Sequence, residues 1–362
     1  MERFLRVLRE QRLLAGLVTA LVVVAIVVLA VLLGRSDPPA DEDPEEPPPE
    51  EPEEPEEPEP PEEPAEPEPP QARHPLTGVL IDEVPARPAL VVKVSNSPEA
   101  RPQTGLERAD VVFEELTEGG ITRFAAVFHH HLPEVVGPVR SARPVDIQLI
   151  SGFGHPGFAH SGARREVRDL LARTPAAVIT EGAPGFFRDR GTYASHPYAP
   201  HDLFLRTADA LEAVVAAGAR PLADVGWAFA EEPPPEAAAD GSTVTIEMSR
   251  TYRTTWTYDP AAGHYRREQN GVPSQVTGEG RIGAANVVVV AVRHYTGASG
   301  YPETDVVGEG DAIVLRDGHR YPARWSKPTA TDPIVLLTED GQAAFPLRPG
   351  PTWIHLPDHL PD

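Results

Sequence analysis

The sequence predicts an α+β or α/β protein: a mixed-sheet N-terminal domain with flanking helices and a smaller, mainly β C-terminal domain, carried behind a transmembrane helix and a disordered stalk. Three observations lead there. Residues 13–33 form an uncharged apolar run, and a tract of almost pure Pro and acidic residues follows it. Beyond residue 74, short β-branched runs alternate with turn signals and a few helical patterns.

Residues 1–12 carry Arg3, Arg6, Arg9 and Arg12 against Glu2 and Glu10 and read as a cytoplasmic N-terminus. Leu13 to Leu33 is Leu-, Val-, Ile- and Ala-rich, and at about 1.5 Å per residue spans roughly 30 Å, one hydrocarbon core. With the arginines on its near side, the positive-inside rule exports everything downstream. A cleaved signal peptide would want small residues where Leu32-Leu33-Gly34-Arg35 stands, and a lipoprotein would need a cysteine, of which the chain has none. The expectation is therefore an uncleaved signal anchor in the cytoplasmic membrane, single-pass, with the C-terminal domains extracytoplasmic. The missing cysteines also exclude disulfides, thiolate nucleophiles and Cys-ligated metals.

Residues 34–73 form the linker. From Pro38 to Pro70 the repeated theme is Glu-Glu-Pro with no basic residue, so the tract cannot bury apolar surface and its charges repel. As polyproline II at about 3.1 Å per residue its contour approaches roughly 100 Å. It reads as a spacer, or alternatively as a binder of cations or a basic partner. Much of the net charge of −23 lies there. Charge and topology together disfavour nucleic acid as a partner.

The N-terminal domain is expected over 74–228. Ala89 to Val94, Val111 to Leu116, Thr122 to Phe128 and Ala177 to Thr180 read as strands, with Glu118-Gly119-Gly120 turning between the second and third. Pro144 to Ile150 and Arg164 to Ala172 read as helices. Asp202 to Ala217 has helical spacing at Leu203, Leu211, Val214 and Val215, with Asp202 as cap and Gly218 as stop. A Pro-rich break over 229–241 separates a C-terminal domain, 242–358. There Thr243 to Met248, Thr254 to Tyr258, Asn286 to Val292, Ala312 to Leu315 and Ile334 to Thr338 read as strands, divided by turns such as Asp317-Gly318 and Asp340-Gly341.

Three strings stand out: Ala100-Arg101-Pro102-Gln103-Thr104-Gly105-Leu106, Glu118-Gly119-Gly120-Ile121-Thr122-Arg123-Phe124, and Gly137-Pro138-Val139-Arg140-Ser141-Ala142-Arg143-Pro144. With Ala109-Asp110-Val111-Val112-Phe113-Glu114, His160-Ser161-Gly162 and Pro200-His201-Asp202-Leu203, they resemble the DUF3048 family of YerB-like bacterial envelope lipoproteins. The resemblance continues through Asn286 to Val289, Gly308 to Gly318 and Gly350 to Ile354. It implies an extracytoplasmic protein of two domains, and no established activity. The apolar anchor in place of a lipidated cysteine departs from the family pattern and bears on lipidation, not on location.

The ligand-binding candidates are Arg101, Arg123, Arg140 and Arg143. Arg140 and Arg143 lie three apart at an expected helix start, where guanidinium forks beside exposed N–H groups suit a phosphate or carboxylate. Pairing with Glu114, Glu115 or Asp146 is the competing reading. Strand alternation puts Arg123 on the face of Ala125 and Val127, as a salt-bridge partner of Glu114 or Glu118 or as a site residue. His160, His201 and Glu114 are the candidates for acid–base or other catalytic chemistry, although His201 could instead cap the following helix. Adjacent side chains of His129-His130-His131 diverge on a strand, which argues against a metal there, and Asp110 is a weaker metal candidate. Trp256, Trp325, Trp353, Tyr258 and Tyr301 are core packing or a sugar platform. No P-loop, His-Glu-x-x-His or Gly-x-Ser-x-Gly motif is present, and no cofactor is called for.

Two functions follow as expectations. The first is a non-catalytic envelope module that binds a cell-wall polymer or an envelope protein. The second is loosely similar in layout to the LytR-CpsA-Psr phosphotransferases: Arg123, Arg140 and Arg143 would hold a polyprenyl pyrophosphate, with Mg²⁺ on Asp110 or Glu114.

Overall fold

The β-branched runs become the middle of one large mixed sheet. This is seen in a computed structural model, which describes residues 71–235, 239–278, 280–297, 300 and 302–362. The expected membrane helix 13–33, nearly all of the linker 34–73, and Tyr301 lie outside the described residues. Among the described residues, Ala72–Arg73 already pairs with Leu80–Ile81, just ahead of the expected domain start at His74.

In chain order the elements that position the site are β1 (Leu90–Ser95), β2 (Val111–Leu116), β3 (Thr122–Phe128), β4 (Val135–Val136), α1 (Pro144–Ser151), β5 (Gly157–His160), α2 (Arg165–Leu171), β6 (Ala177–Thr180), β7 (Phe186–Arg188), β8 (Leu203–Arg206) and α3 (Thr207–Ala216). They continue with β9 (Ala239–Asp240), β10 (Thr243–Glu247), β11 (Arg253–Asp259), β12 (His264–Gln269), β13 (Asn286–Val290), β14 (Gly308–Arg316), β15 (His319–Lys327), β16 (Val335–Thr338) and β17 (Thr352–His355).

The main sheet has the order β9-β15-β14-β13-β17-β2-β3-β1-β5-β6, with β16 beside β15. Strand β3 is antiparallel to both neighbours, while β13, β17 and β2, and likewise β1, β5 and β6, are parallel. These six strands therefore all run one way, and their carboxyl ends share one end of the sheet. Because β17 lies between β13 and β2, strands from both sides of residues 229–241 hydrogen-bond in one sheet, and 67–362 is one compact unit.

Each face of the sheet is covered. Val91, Phe113, Val127 and Phe158 pack beneath α1 and α2 through Val145, Leu149, Val167 and Leu171. On the other face Val92, Val94 and Phe124 meet Val214 of α3 and a second sheet built on β10-β11-β12. Trp256, Trp325 and Trp353 are all buried, so these three rings serve the core and offer no sugar platform.

One expected element is corrected. Leu203–Arg206 is strand, and α3 starts only at Thr207. Leu203, Phe204 and Leu205 are apolar without a break, and pairing with both β4 and β7 buries all three, which a one-sided helix would not do. Asp202 is thereby no helix cap; its carboxylate takes Arg188. Gly218 does stop α3, at φ +103°. Strands β4, β5, β7, β9, β12, β15 and β17 are not among the expected ones. In β12 and β15 the buried positions include Arg267, Gln269 and Lys327, so hydropathy hides the alternation.

Candidate functional site

At the end of β2 the neighbours Glu114 and Glu115 project to opposite faces, and each anchors a buried polar network at the carboxyl end of the sheet.

On the α1 face, register sets Ser95, Arg123 and Glu115 in one row across β1, β3 and β2. One rung down, Lys93 Nζ contacts Glu115 Oε1 and lies 2.8 Å from Asp146 Oδ1, with both ion pairs fully buried. Asp146 Oδ2 accepts the Arg143 N–H at 2.6 Å, so the start of α1 is already capped from within. Burial, with Asp146 nearby, pushes the Glu115 carboxyl up to about 7 against the pull of Lys93. His160 Nδ1 lies 2.9 Å from the Gly162 carbonyl, and burial lowers its pKa. Two enclosed atoms in this network, Glu115 Oε2 and His160 Nε2, have no hydrogen-bond partner.

Above this network lies a rim of cations. Arg123 Nη1 donates to Ser141 O at 2.8 Å. Burial, then the charges of Arg143 and Arg140, bring its pKa down to about 10. Arg143 sets Nε and Nη2 on Glu118 Oε2 at 2.9 and 2.7 Å, and Arg164 takes the other Glu118 oxygen at 2.8 Å. Arg140 makes one long contact, 3.4 Å to Pro200 O, and its Nε is buried without a partner. Arg101 Nη2 donates to Asn96 O at 2.7 Å, and its Nε too is buried without a partner. Ser141 and Ser161 meet hydroxyl to hydroxyl at 3.4 Å, and His201 Nδ1 lies 3.4 Å from Ser97 Oγ. Arg140 lowers the His201 pKa, second only to burial.

The structure thus brings Arg123, Arg140, Arg143 and His201 to one end of the sheet, with His160 directly beneath, while Arg101 lies apart from them over the Tyr252 ring, 5.6 Å from its centre. Glu114 is not among them. It is enclosed on the opposite face, where Arg267 Nη2 lies 2.9 Å and His355 Nδ1 3.1 Å from its Oε2, and Thr122 donates to Oε1 at 2.7 Å. Burial opposes its ionisation, yet Arg267 and the His355 and Thr122 hydrogen bonds prevail and hold it well below the usual carboxylate range. The Trp256 Nε1–H donates to His355 Nε2 at 2.8 Å. That nitrogen is therefore an acceptor, and a neutral His355 carries its proton on Nδ1, facing Glu114. Arg267 also lies 5.2 and 5.3 Å from the ring centres of Phe124 and Trp353. This is a brace between the two sheets, shut off from solvent.

Asp110 is likewise elsewhere. It precedes β2, at the end opposite the arginines, and accepts the His129 and His130 N–H groups at 2.5 and 2.7 Å. The Mg²⁺ arrangement expected for a transferase is therefore not assembled, since neither Asp110 nor Glu114 reaches the arginine rim. His129 bonds His74 at 2.7 Å and His130 stacks on His131 at 3.9 Å. Among the described residues no group of three or more His, Cys, Asp or Glu is placed to hold a metal.

Sequence reasoning missed Lys93, Asp146 as a cap, Arg267 and His355, and it offered Glu115 to an arginine, whereas Lys93 holds it. The available signal was a lone charge inside an apolar strand, as in Leu90-Val91-Val92-Lys93-Val94.

Comparison with known proteins places this arrangement. Residues 76–220 match the family described as a protein of unknown function (DUF3048), N-terminal domain, and residues 244–354 match the corresponding C-terminal domain. A Bacillus subtilis (strain 168) protein named as the candidate lipoprotein YerB is 28% identical over 292 residues, covering 78% of this chain and 85% of that one. The crystal structure of B. subtilis YerB superposes with a TM-score of 0.68 at 28% identity, over 80% of this chain and 97% of that one.

Proposed function

The chain belongs to the DUF3048 family, and from that premise we propose that it is a membrane-anchored extracytoplasmic envelope protein whose arginine rim binds an anionic cell-wall polymer. The lipoprotein name of its relative supports an envelope setting, and the run 13–33 with its flanking arginines supports an anchor that leaves the folded part outside. The observation that carries the ligand reading is Arg140. A half-buried guanidinium with one long contact and an unpartnered Nε, set near Arg123 and Arg143, is an electrostatic deficit that an anion fills.

The full chain in detergent, mixed with purified sacculi that carry or lack their anionic polymer, tests it. Retention that depends on the polymer, and that weakens in Arg140→Gln, is expected. Equal passage of the chain through both preparations defeats the proposal. Location has its own check: protease added to intact spheroplasts should digest residues 71–362, and protection would place them inside.

A further inference from the structure

The donors left unused around Arg140 differ from those a carboxylate needs. A carboxylate is planar with two oxygens to satisfy, and the rim already holds one, Glu118, between Arg143 on one oxygen and Arg164 on the other. What surrounds Arg140 comes instead from several segments: Arg123 from the start of β3, Ser141 before α1, Ser161 after β5, and His201 before β8. The Arg140 guanidinium holds a buried, unpartnered Nε. The hydroxyls of Ser141 and Ser161 touch each other at only 3.4 Å, so either can turn its proton elsewhere. Mixed N–H and O–H donors from separate directions of the chain suit a tetrahedral group with several acceptor oxygens.

Charge points the same way. Near Arg123, the cations Arg140 and Arg143 face the carboxylates Glu118 and Glu115. Glu118 is already divided between Arg143 and Arg164, and Glu115 is held by Lys93. The rim also lies outside the carboxyl ends of parallel strands, the end of an open sheet where anionic ligands are received.

We propose that this rim is a phosphoryl site: Arg140, flanked by Arg123 and by the Ser141 and Ser161 hydroxyls, takes the phosphate of a phosphodiester or phosphomonoester. The inference rests on the anionic-ligand reading above and narrows it. A phosphate in a wall polymer and a phosphate on a lipid headgroup present the same chemistry to these donors.

Titration calorimetry on the full chain in nonionic detergent, with pyrophosphate, glycerol 3-phosphate and acetate as separate ligands, tests it. Vesicles of a phosphate-free glycolipid with and without phosphatidic acid form a fourth arm. Pyrophosphate or glycerol phosphate should bind at concentrations where acetate gives no heat. Arg140→Gln should weaken that binding by about tenfold or more, with Arg140→Lys recovering only part, because a point charge replaces a fork. Binding to phosphatidic acid vesicles alone also supports a phosphoryl site and assigns its source to lipid. Acetate binding as well as the phosphates overturns the phosphoryl inference and leaves the anionic-polymer reading standing. No phosphate binding in any arm, with polymer retention intact, overturns it equally. Ser141→Ala guards against a misfolded Arg140 variant: it removes a donor without a buried charge and should weaken phosphate binding severalfold, while an unchanged affinity in both variants sinks the assignment.

Discussion

Glu114 and Glu115 are one residue apart and titrate in opposite directions. Glu115 is raised from an ordinary 4.5 to about 7 by burial and by Asp146. A raised carboxyl favours the folded state below pH 4.5, and that contribution is lost as pH rises through about 7. Urea denaturation at pH 5 and pH 8 should therefore show wild-type stability falling relative to Glu115→Gln on going to the higher pH. A difference that does not change with pH would refute the linkage. Glu114, held low, has the reverse sign: its contribution is present above its ordinary 4.5 and lost as pH falls toward its depressed value. Removing its partner is a sharper test. Arg267→Met leaves a carboxylate enclosed without its cation and should cost about 3–5 kcal/mol in denaturant unfolding. At this scale the sequence exposed the rim arginines, which sit in polar strings. It did not expose Lys93 or Arg267, because their partners Asp146 and Glu114 are 53 and 153 residues away.

Among the elements, strands such as Val111–Leu116 and Thr122–Phe128 were legible because a β-branched run states its own preference locally. Leu203–Arg206 was not, because its spacing also fits a helix and only the presence of β4 and β7 on either side decides for strand. Packing between elements is equally nonlocal. A Cβ on Gly157 of β5 would come within 2.5 Å of Val214 Cγ2 on α3. Gly157→Ala should then lower stability by about 1–3 kcal/mol, and Val214→Ala in the same chain should recover part of the loss, as thermal unfolding of the two single variants and the double variant would reveal. Strict additivity would mean that the contact is not the cause.

For the whole molecule the governing fact is the β13-β17-β2 junction, where strands of the C-terminal segment enter the sheet of the N-terminal one. A chain ended after residue 228 loses β17 and leaves β2 with an unpaired edge and Val112, Phe113 and Glu114 without their neighbours. It should be insoluble or lack a cooperative melt, whereas 67–362 should unfold in a single transition by calorimetry. Two separate transitions for 67–362 would show that the segments fold independently. By itself the sequence determined the mixed-sheet class with a mainly β C-terminal part, the strands that are β-branched runs, the kinship with DUF3048 and the arginines in polar strings, since each depends on local pattern. Only the tertiary structure decided that Arg123, Arg140, Arg143 and His201 meet, that Glu114 belongs to a closed brace and that Asp110 lies at the far end. The reason is that alternation assigns a side chain to a face, while strand order and register, set by long-range pairing and burial, choose what it faces.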